Sequence, residues 1–324
     1  MKIVFLGAGA FGIPSLAALA ASGHELAHVI SQPDRPAGRG KQLTPTPVSQ
    51  WALERGVALT RTEDANGAEV LGLLREIGPA CLVVIAFGQK LSPELLGIAA
   101  HGGINLHSSL LPKYRGAAPI NWAVINGDAV AGVCVIEVTA VMDAGAILAE
   151  ASTPVGDAET AGELHDRLAV LGAPLLPRVL DALGAGRVER RAQEAALATR
   201  APKLSREKAW VDFSQDAAAV SARIRGMSPW PGVQVEVLDA GGKVRTVATL
   251  LKCRAVERGQ HDAERCGSVL ADRTVACGRG SIELLTVQPA GKKPMDIAAF
   301  ANGYGFGPGA RLKGVIAPPP TAGA

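Results

Sequence analysis

Apolar residues in the first 180 positions gather into short continuous runs, and the stretches between them carry helix-like spacing. KIVFLG (2–7), ELAHVIS (25–31), CLVVIAF (81–87), GINLHS (103–108), GVCVIEV (132–138) and AILAEAS (146–152) read as strands. Residues 15–22, 48–55, 68–77 and 120–126 read as helices, and one further helix over 161–183 closes the unit. Strands that are apolar throughout and separated by helices predict a sheet covered on both faces and parallel at its start. Residues 1–185 are therefore expected to form a Rossmann-like, doubly wound α/β domain.

The texture then changes. Residues 186–205 are rich in glycine and charge without a sustained apolar face, which predicts a linker. Beyond them VQVEVLD, KVRTVATLLKC, GSVLA, TVACG and SIELLTVQ are short strand-like runs, preceded by a helix near 217–226. This spacing predicts a smaller C-terminal β-barrel of the OB-like kind over 206–316. The proline-rich tail, 317–324, has almost nothing to bury and is expected to be flexible.

Composition narrows the classes. With 48% apolar and 19% charged residues the chain can bury substantial cores. The net charge of +3 is unevenly spread, because residues 203–316 hold 17 Lys and Arg against 11 Asp and Glu. A polyanionic partner would favour that region, although an ordinary solvated surface has the same composition. The five cysteines form no C-x-x-C, and their odd number points to a reducing compartment. Lys2 followed by an apolar stretch and ALAASG imitates a secretion signal, but Pro14 and three glycines interrupt it and cleavage would remove the first strand. A cytoplasmic location is expected. No apolar run approaches the roughly 20 residues needed to cross a membrane.

Two motifs invite overreading. His24-Glu25-Leu26-Ala27-His28 fits H-E-x-x-H, yet the surrounding residues alternate as in a strand, where imidazoles four apart lie about 13 Å from each other. GAGAFG places Gly7, Gly9 and Gly12 between a strand and a helix, as a dinucleotide fingerprint requires. The acidic residue expected at the end of the second strand is missing, and Asp34 arrives late behind Pro33. Arg35 or Arg39 could suit a 2′-phosphate, so an NADP enzyme stays open as an alternative.

The densest chemistry lies in GGINLHSSLLPKYRGAAPINWAVINGD, residues 102–128. Asn105 and His107 are two apart in a strand and share a face. The first offers amide donors, the second a proton-transfer group near neutral pH, so together they could hold an oxyanion and manage a proton. Pro112, Gly116 and Pro119 shape the following loop as a pocket wall. Asp143, in the turn after GVCVIEV, is the candidate to orient His107. A hydrogen-bonded structural pair and a loop-capping aspartate would look the same, and both readings stay open here.

This stretch resembles the signature of the folate-dependent formyltransferases, and QPDRPAGRGKQLTPTPV (32–48) is similar to a loop inserted in the tRNA-directed branch of that family. The likeness continues through AFGQKLSPELL (86–96), MDAG (142–145), KLSREKAWVDFS (203–214), MSPWPG (227–232) and LLTVQPAGKKPM (284–295), covering nearly the whole chain. It implies transfer of a formyl group from 10-formyltetrahydrofolate, as cosubstrate, to the amino group of methionine on initiator methionyl-tRNA, without metal or NAD(P). It assigns catalysis to Asn105, His107 and Asp143, and folate contact to Phe87, Gly88, Ser109, Leu110, Leu111 and Pro112. Arg35, Arg39, Lys41 and Lys203 fall where the family meets tRNA. A monomer is expected. Glycinamide ribonucleotide and sugar-nucleotide formyltransferases would share the trio but explain the loop less well, and an inert RNA-binding relative would share the whole fold. Ser108 stands where the family usually has Gly or Ala after the histidine. Val141 and Ala144 depart from the family's usual G-L-D-T-G around Asp143.

Overall fold

A computed structural model describes residues 1–37, 40 and 42–319. In chain order the first elements are β1 (Lys2–Gly7), α1 (Ile13–Ala20), β2 (Glu25–Ser31), a hairpin of β3 (Arg35–Ala37) and β4 (Gln42–Thr44), α2 (Pro47–Glu54) and β5 (Leu59–Arg61). Next come α3 (Ala68–Ile77), β6 (Cys81–Ile85), α4 (Pro93–Leu96), β7 (Gly103–His107), β8 (Arg115–Gly116), α5 (Pro119–Ile125) and β9 (Val130–Glu137). β10 (Ile147–Pro154), α6 (Ala161–Gly172), α7 (Leu175–Gly184), β11 (Arg200–Ala201) and α8 (Ala217–Gly226) follow. The chain ends with β12 (Val233–Leu238), β13 (Val244–Gln260), β14 (Val275–Ala276), β15 (Arg279–Pro289), β16 (Met295–Asp296), α9 (Ile297–Tyr304) and β17 (Arg311–Gly314).

Two compact units result. The first comprises Met1–Gly116, Gly132–Thr153 and His165–Arg200, the second Ala117–Ala131, Pro154–Leu164 and the residues from Ala201 onward. The first unit holds a seven-stranded sheet in the order β10-β9-β7-β6-β1-β2-β5. Its five central and outer strands β7, β6, β1, β2 and β5 are mutually parallel, and β9 runs antiparallel to β7. The sheet is thus Rossmann-like, with its parallel strands apolar on both faces: Ile3, Val4, Phe5 and Leu6 of β1 are all fully buried. Helix α3 lays Val70, Leu71 and Leu74 onto Val4, Leu6, Ile30 and Leu82. The chain builds outward from β1 to β2 and β5, then returns to the other side of β1 with β6 and β7. That reversal places the carboxyl ends of β1, β6 and β7 along the edge where such sheets receive ligands.

Expectations for this unit change in detail. The helix expected over 161–183 is two helices, α6 and α7, divided at Pro174, which has no N–H to continue the ladder. β6 stops at Ile85 because Ala86 adopts φ +47 and turns the chain. The three glycines of GAGAFG do not supply left-handed backbone, since none has positive φ. Packing demands them instead: a Cβ on Gly7 would lie 2.6 Å from the Ile85 carbonyl oxygen and one on Gly12 3.1 Å from the Phe5 ring. The H-E-x-x-H segment runs into strand β2, as its alternation predicts. His24 meets the Met1 amino group through Nδ1 and the Pro177 carbonyl through Nε2, while His28 Nε2 meets Thr60 Oγ1 at 2.9 Å.

The second unit is a curled antiparallel half-barrel, in the order β14-β15-β13-β12-β17 with β16 paired to β15. Register shifts after Val237, around Lys252 and between Val256 and Gln260 bend the long strand β13 and its neighbours. Val220 and Ile224 of α8 pack on Val235, Leu250, Cys253 and Leu284 at its core. The run GSVLA forms only isolated bridges at Ser268 and Val269, not a strand. The expected tail position 317–324 lies partly outside the described residues, from 320 on. All five cysteines are buried and free. No helix among the described residues is long and apolar enough to cross a membrane.

Candidate active site

β7 carries Asn105 and His107 because its alternation sends Ile104 and Leu106 into the apolar layer and the two polar side chains to the opposite face. Neighbouring strands fix the register, pairing Asn105 with Val84 and Ile136, and His107 with Cys134. Asn105 is half-buried, and among the described residues no side-chain hydrogen bond engages its amide. His107 is only 6% exposed.

The loop after β7 folds back over the imidazole. Tyr114, at φ +64, turns its carbonyl onto His107 Nε2 at 3.0 Å. A carbonyl only accepts, so Nε2 carries the hydrogen and Nδ1 is left with its lone pair. Nδ1 faces Asp143 Oδ1 at 3.6 Å, an ion-pair distance longer than a hydrogen bond. Burial pushes the His107 pKa below its ordinary value of 6.5, while Asp143 and the Tyr114 carbonyl pull the other way. Desolvation is the largest of these influences, so burial favours the neutral ring.

Asp143 reaches this place on a strained turn. It is a non-glycine residue at φ +54, and its Oδ2 accepts from the Gly116 backbone N–H at 2.9 Å. Gly145 beside it admits no side chain, because a Cβ there would sit 1.9 Å from the Glu137 carbonyl oxygen. Gln193 brackets the same turn: its Nε2 donates to the carbonyls of Asp143 and Gly145 at 2.9 and 2.8 Å. Its Oε1 accepts from Nε and an Nη of Arg115 at 3.1 and 2.7 Å. Sequence reasoning passed over Gln193, which lies in the featureless stretch after α7, and no local pattern marks it.

The structure brings Asn105, His107, Asp143 and Ser109–Pro112 of the sequence-predicted set onto one neighbourhood. Ser109 Oγ donates to the Lys113 carbonyl at 2.6 Å, and Leu111 packs with Cys134, Ile136 and Ile147. Leu110 is half-buried, with its side chain against the face of Gly132. The Pro112 carbonyl accepts from Thr199 N, and Thr199 Oγ1 in turn accepts from Tyr114 N. Phe87 points its ring into the core at 2% exposure, whereas Gly88, at φ +81, is exposed at the carboxyl end of β6. Gln32 ties that turn to the β3–β4 hairpin, donating from Nε2 to the Phe87 carbonyl at 3.0 Å and accepting from exposed Arg35 at 3.5 Å. Arg39 and Lys41 lie outside the described residues. Lys203 is exposed and belongs to the second unit.

Asn105 and His107 on β7 and Asp143 on the turn after β9 thus place an amide, an imidazole and a carboxylate in one neighbourhood of the Rossmann-like sheet. Residues 1–180 match the family model described as formyl transferase, and residues 203–305 match that of the formyl transferase C-terminal domain. The chain is 43% identical over 312 residues to the methionyl-tRNA formyltransferase of Moorella thermoacetica, covering 95% of this chain and 98% of that relative. It is 41% identical over 305 residues to the enzyme of the same name from Solibacter usitatus, covering 94% and 96%. The chain therefore belongs to the methionyl-tRNA formyltransferase family.

Solved structures share the fold. A sugar 3N-formyl transferase, WlaRD, solved in the presence of dTDP and 5-N-formyl-THF, superposes with a TM-score of 0.64 at 14% identity, over 90% of this chain and 99% of that one. HypX from Aquifex aeolicus in complex with tetrahydrofolic acid gives 0.57 at 17% identity, over 94% and 47%.

Proposed function

We propose that this protein transfers the formyl group of 10-formyltetrahydrofolate to the α-amine of methionine on initiator methionyl-tRNA, with Asn105, His107 and Asp143 as its chemical core. The observation that carries the reading is the buried His107, held by the Tyr114 carbonyl at Nε2 and 3.6 Å from Asp143 Oδ1 at Nδ1, while an unengaged Asn105 amide stands two residues away.

The amide of Asn105 donates to the oxygen of the formyl carbon as the amine attacks and negative charge develops there. His107 accepts the proton that the amine must lose. Protonated at Nδ1, the ring lies between the Asp143 carboxylate and the Tyr114 carbonyl, both of which favour the cation. The same proton then passes to the departing folate nitrogen, leaving formyl-methionyl-tRNA and tetrahydrofolate. This route gives no role to a metal or a nicotinamide.

Phe87 and Gly88 on one side and Ser109, Leu110, Leu111 and Pro112 on the other form the wall for the folate in this reading. Arg35 in β3, Arg39 and Lys41 shortly after it in the sequence, and Lys203 meet the tRNA. Residues 1–185 carry the chemistry and 206–316 tRNA binding, joined by 186–205. The protein acts as a monomer in the cytoplasm.

The test is incubation with 10-formyltetrahydrofolate and either initiator or elongator methionyl-tRNA, scoring formyl-methionine. Formylation of the initiator species is expected. Asn105→Ala should lower turnover by about 100- to 1,000-fold with folate binding retained, the usual loss on removing one oxyanion donor. Unchanged turnover in that variant would remove Asn105 from the mechanism.

A further inference from the structure

The strained turn that presents Asp143 has no regular secondary structure to hold it, yet its geometry is determined on three sides. Gly116 N–H grips the carboxylate, Gly145 seats the backbone against Glu137, and Gln193 holds the two carbonyls that flank Ala144. A non-glycine residue at positive φ persists only where its surroundings over-determine it.

Gln193 is the member of this set that closes a ring. Its Oε1 fixes Arg115, the next residue along is Gly116, Gly116 N–H binds Asp143 Oδ2, and the Asp143 carbonyl returns to Gln193 Nε2. Every hydrogen-bonding position of the amide is used, two donated and two accepted. The orientation of the amide follows from its partners, since carbonyls only accept and a guanidinium only donates. A glutamate could satisfy Arg115 but would oppose two carbonyls with a third acceptor. A leucine could do neither.

We propose that Gln193 is a positioning residue for the reaction. By donating to both sides of the Asp143 turn and anchoring Arg115, it keeps the carboxylate aimed at Nδ1 of His107. This inference rests on the assignment of Asp143 made above. Misplacing a group by about 1 Å in an active site is enough to cost on the order of 100-fold.

Gln193→Leu and Gln193→Glu are measured beside Asp143→Asn in the full-length protein, with methionyl-tRNA and 10-formyltetrahydrofolate. Both Gln193 variants are expected to lose about 10- to 100-fold in kcat with the KM for folate little changed. For Gln193→Leu the acidic limb of the kcat profile should also move to lower pH, because His107 keeps its burial and loses the focused charge of Asp143; the Tyr114 carbonyl is its remaining partner. A purely structural role would lower the melting temperature without moving that limb. Gln193→Glu retains the Arg115 contact and nearly the same shape, so it remains informative should the leucine variant fold poorly.

Wild-type turnover in Gln193→Glu, or an unmoved limb in a folded Gln193→Leu, overturns the proposal. If Asp143→Asn loses activity while the Gln193 variants keep it, the positioning role alone fails. If Asp143→Asn is itself fully active, the assignment of Asp143 fails and this inference goes with it.

Discussion

His107 and Asp143 stand 3.6 Å apart, Nδ1 to Oδ1, with the opposite nitrogen of the ring held by the Tyr114 carbonyl at 3.0 Å. The carboxylate is too distant for a short hydrogen bond and close enough to be felt as charge. Burial therefore decides the resting state, and Asp143 decides how readily the ring accepts a proton.

Asp143→Asn removes the charge and keeps the shape. The pKa of His107 should then fall further, since the largest influence raising it is gone. Activity that needs the neutral ring rises with pH as His107 loses its proton, so the acidic limb of the kcat profile moves to lower pH. At neutral pH kcat itself should fall by about 100-fold or more, within the range that general acid–base catalysis supplies. A pH series of initial rates checks both, and a limb that stays in place would separate it from His107.

The same shift bears on stability. A histidine whose folded pKa lies below its unfolded value binds fewer protons when folded, so stability is lost as pH falls through about 6.5 toward the folded pKa. His107→Gln, whose amide can still donate to the Tyr114 carbonyl, lacks that dependence. The melting temperature of the wild type should therefore fall relative to this variant between neutral and mildly acidic pH. His28, whose pKa burial also lowers, is present in both proteins and cancels in the difference. Parallel melting curves at every pH would contradict a neutral, buried His107.

Much of this was legible in the sequence for identifiable reasons. The bounds of strand β2 and helices α3 and α8 coincide with the expected ranges, because each segment lies between clear breaks. Asn105 and His107 could be placed on one face of a strand from their spacing alone. Strand β17 could not be found, since RLKG is too short and too charged for its pattern to register. The role of Gln193 was also invisible: four hydrogen bonds to residues distant in sequence leave no local trace. GAGAFG was legible as a turn, but the reason for its glycines was steric and became clear only with Ile85 and Phe5 in place.

Gly145→Ala tests the seat of the Asp143 turn. The added methyl would meet backbone, the Glu137 carbonyl oxygen at 1.9 Å, which has no flexible end to move aside. Glu137 N also donates to the Ala146 carbonyl at 3.0 Å, so the turn and the end of β9 must part together. A loss of about 1–3 kcal/mol in stability is expected, the usual cost of overpacking. Turnover measured well below the melting temperature should fall as well, because the shift carries Asp143 with it. A variant that unfolds more easily but turns over normally would show that the turn tolerates movement.

Salt dependence tests how the acceptor is held. Phosphate contacts release condensed counterions, so affinity for a nucleic acid falls as salt rises. The log of kcat/KM for methionyl-tRNA should therefore decline linearly with log salt, while the KM for 10-formyltetrahydrofolate changes far less. Arg35 and Lys203 are both exposed, and among the described residues the Arg35 side chain makes one long contact, to Gln32 Oε1 at 3.5 Å. Replacing either with alanine should flatten the slope by about 0.7–0.9 if it makes one phosphate contact. The Arg35 variant carries a second readout, because the Gln32 link to the Phe87 carbonyl is left intact and folate binding should be unchanged. A slope that does not differ from wild type in either variant would move the tRNA contact elsewhere on the surface.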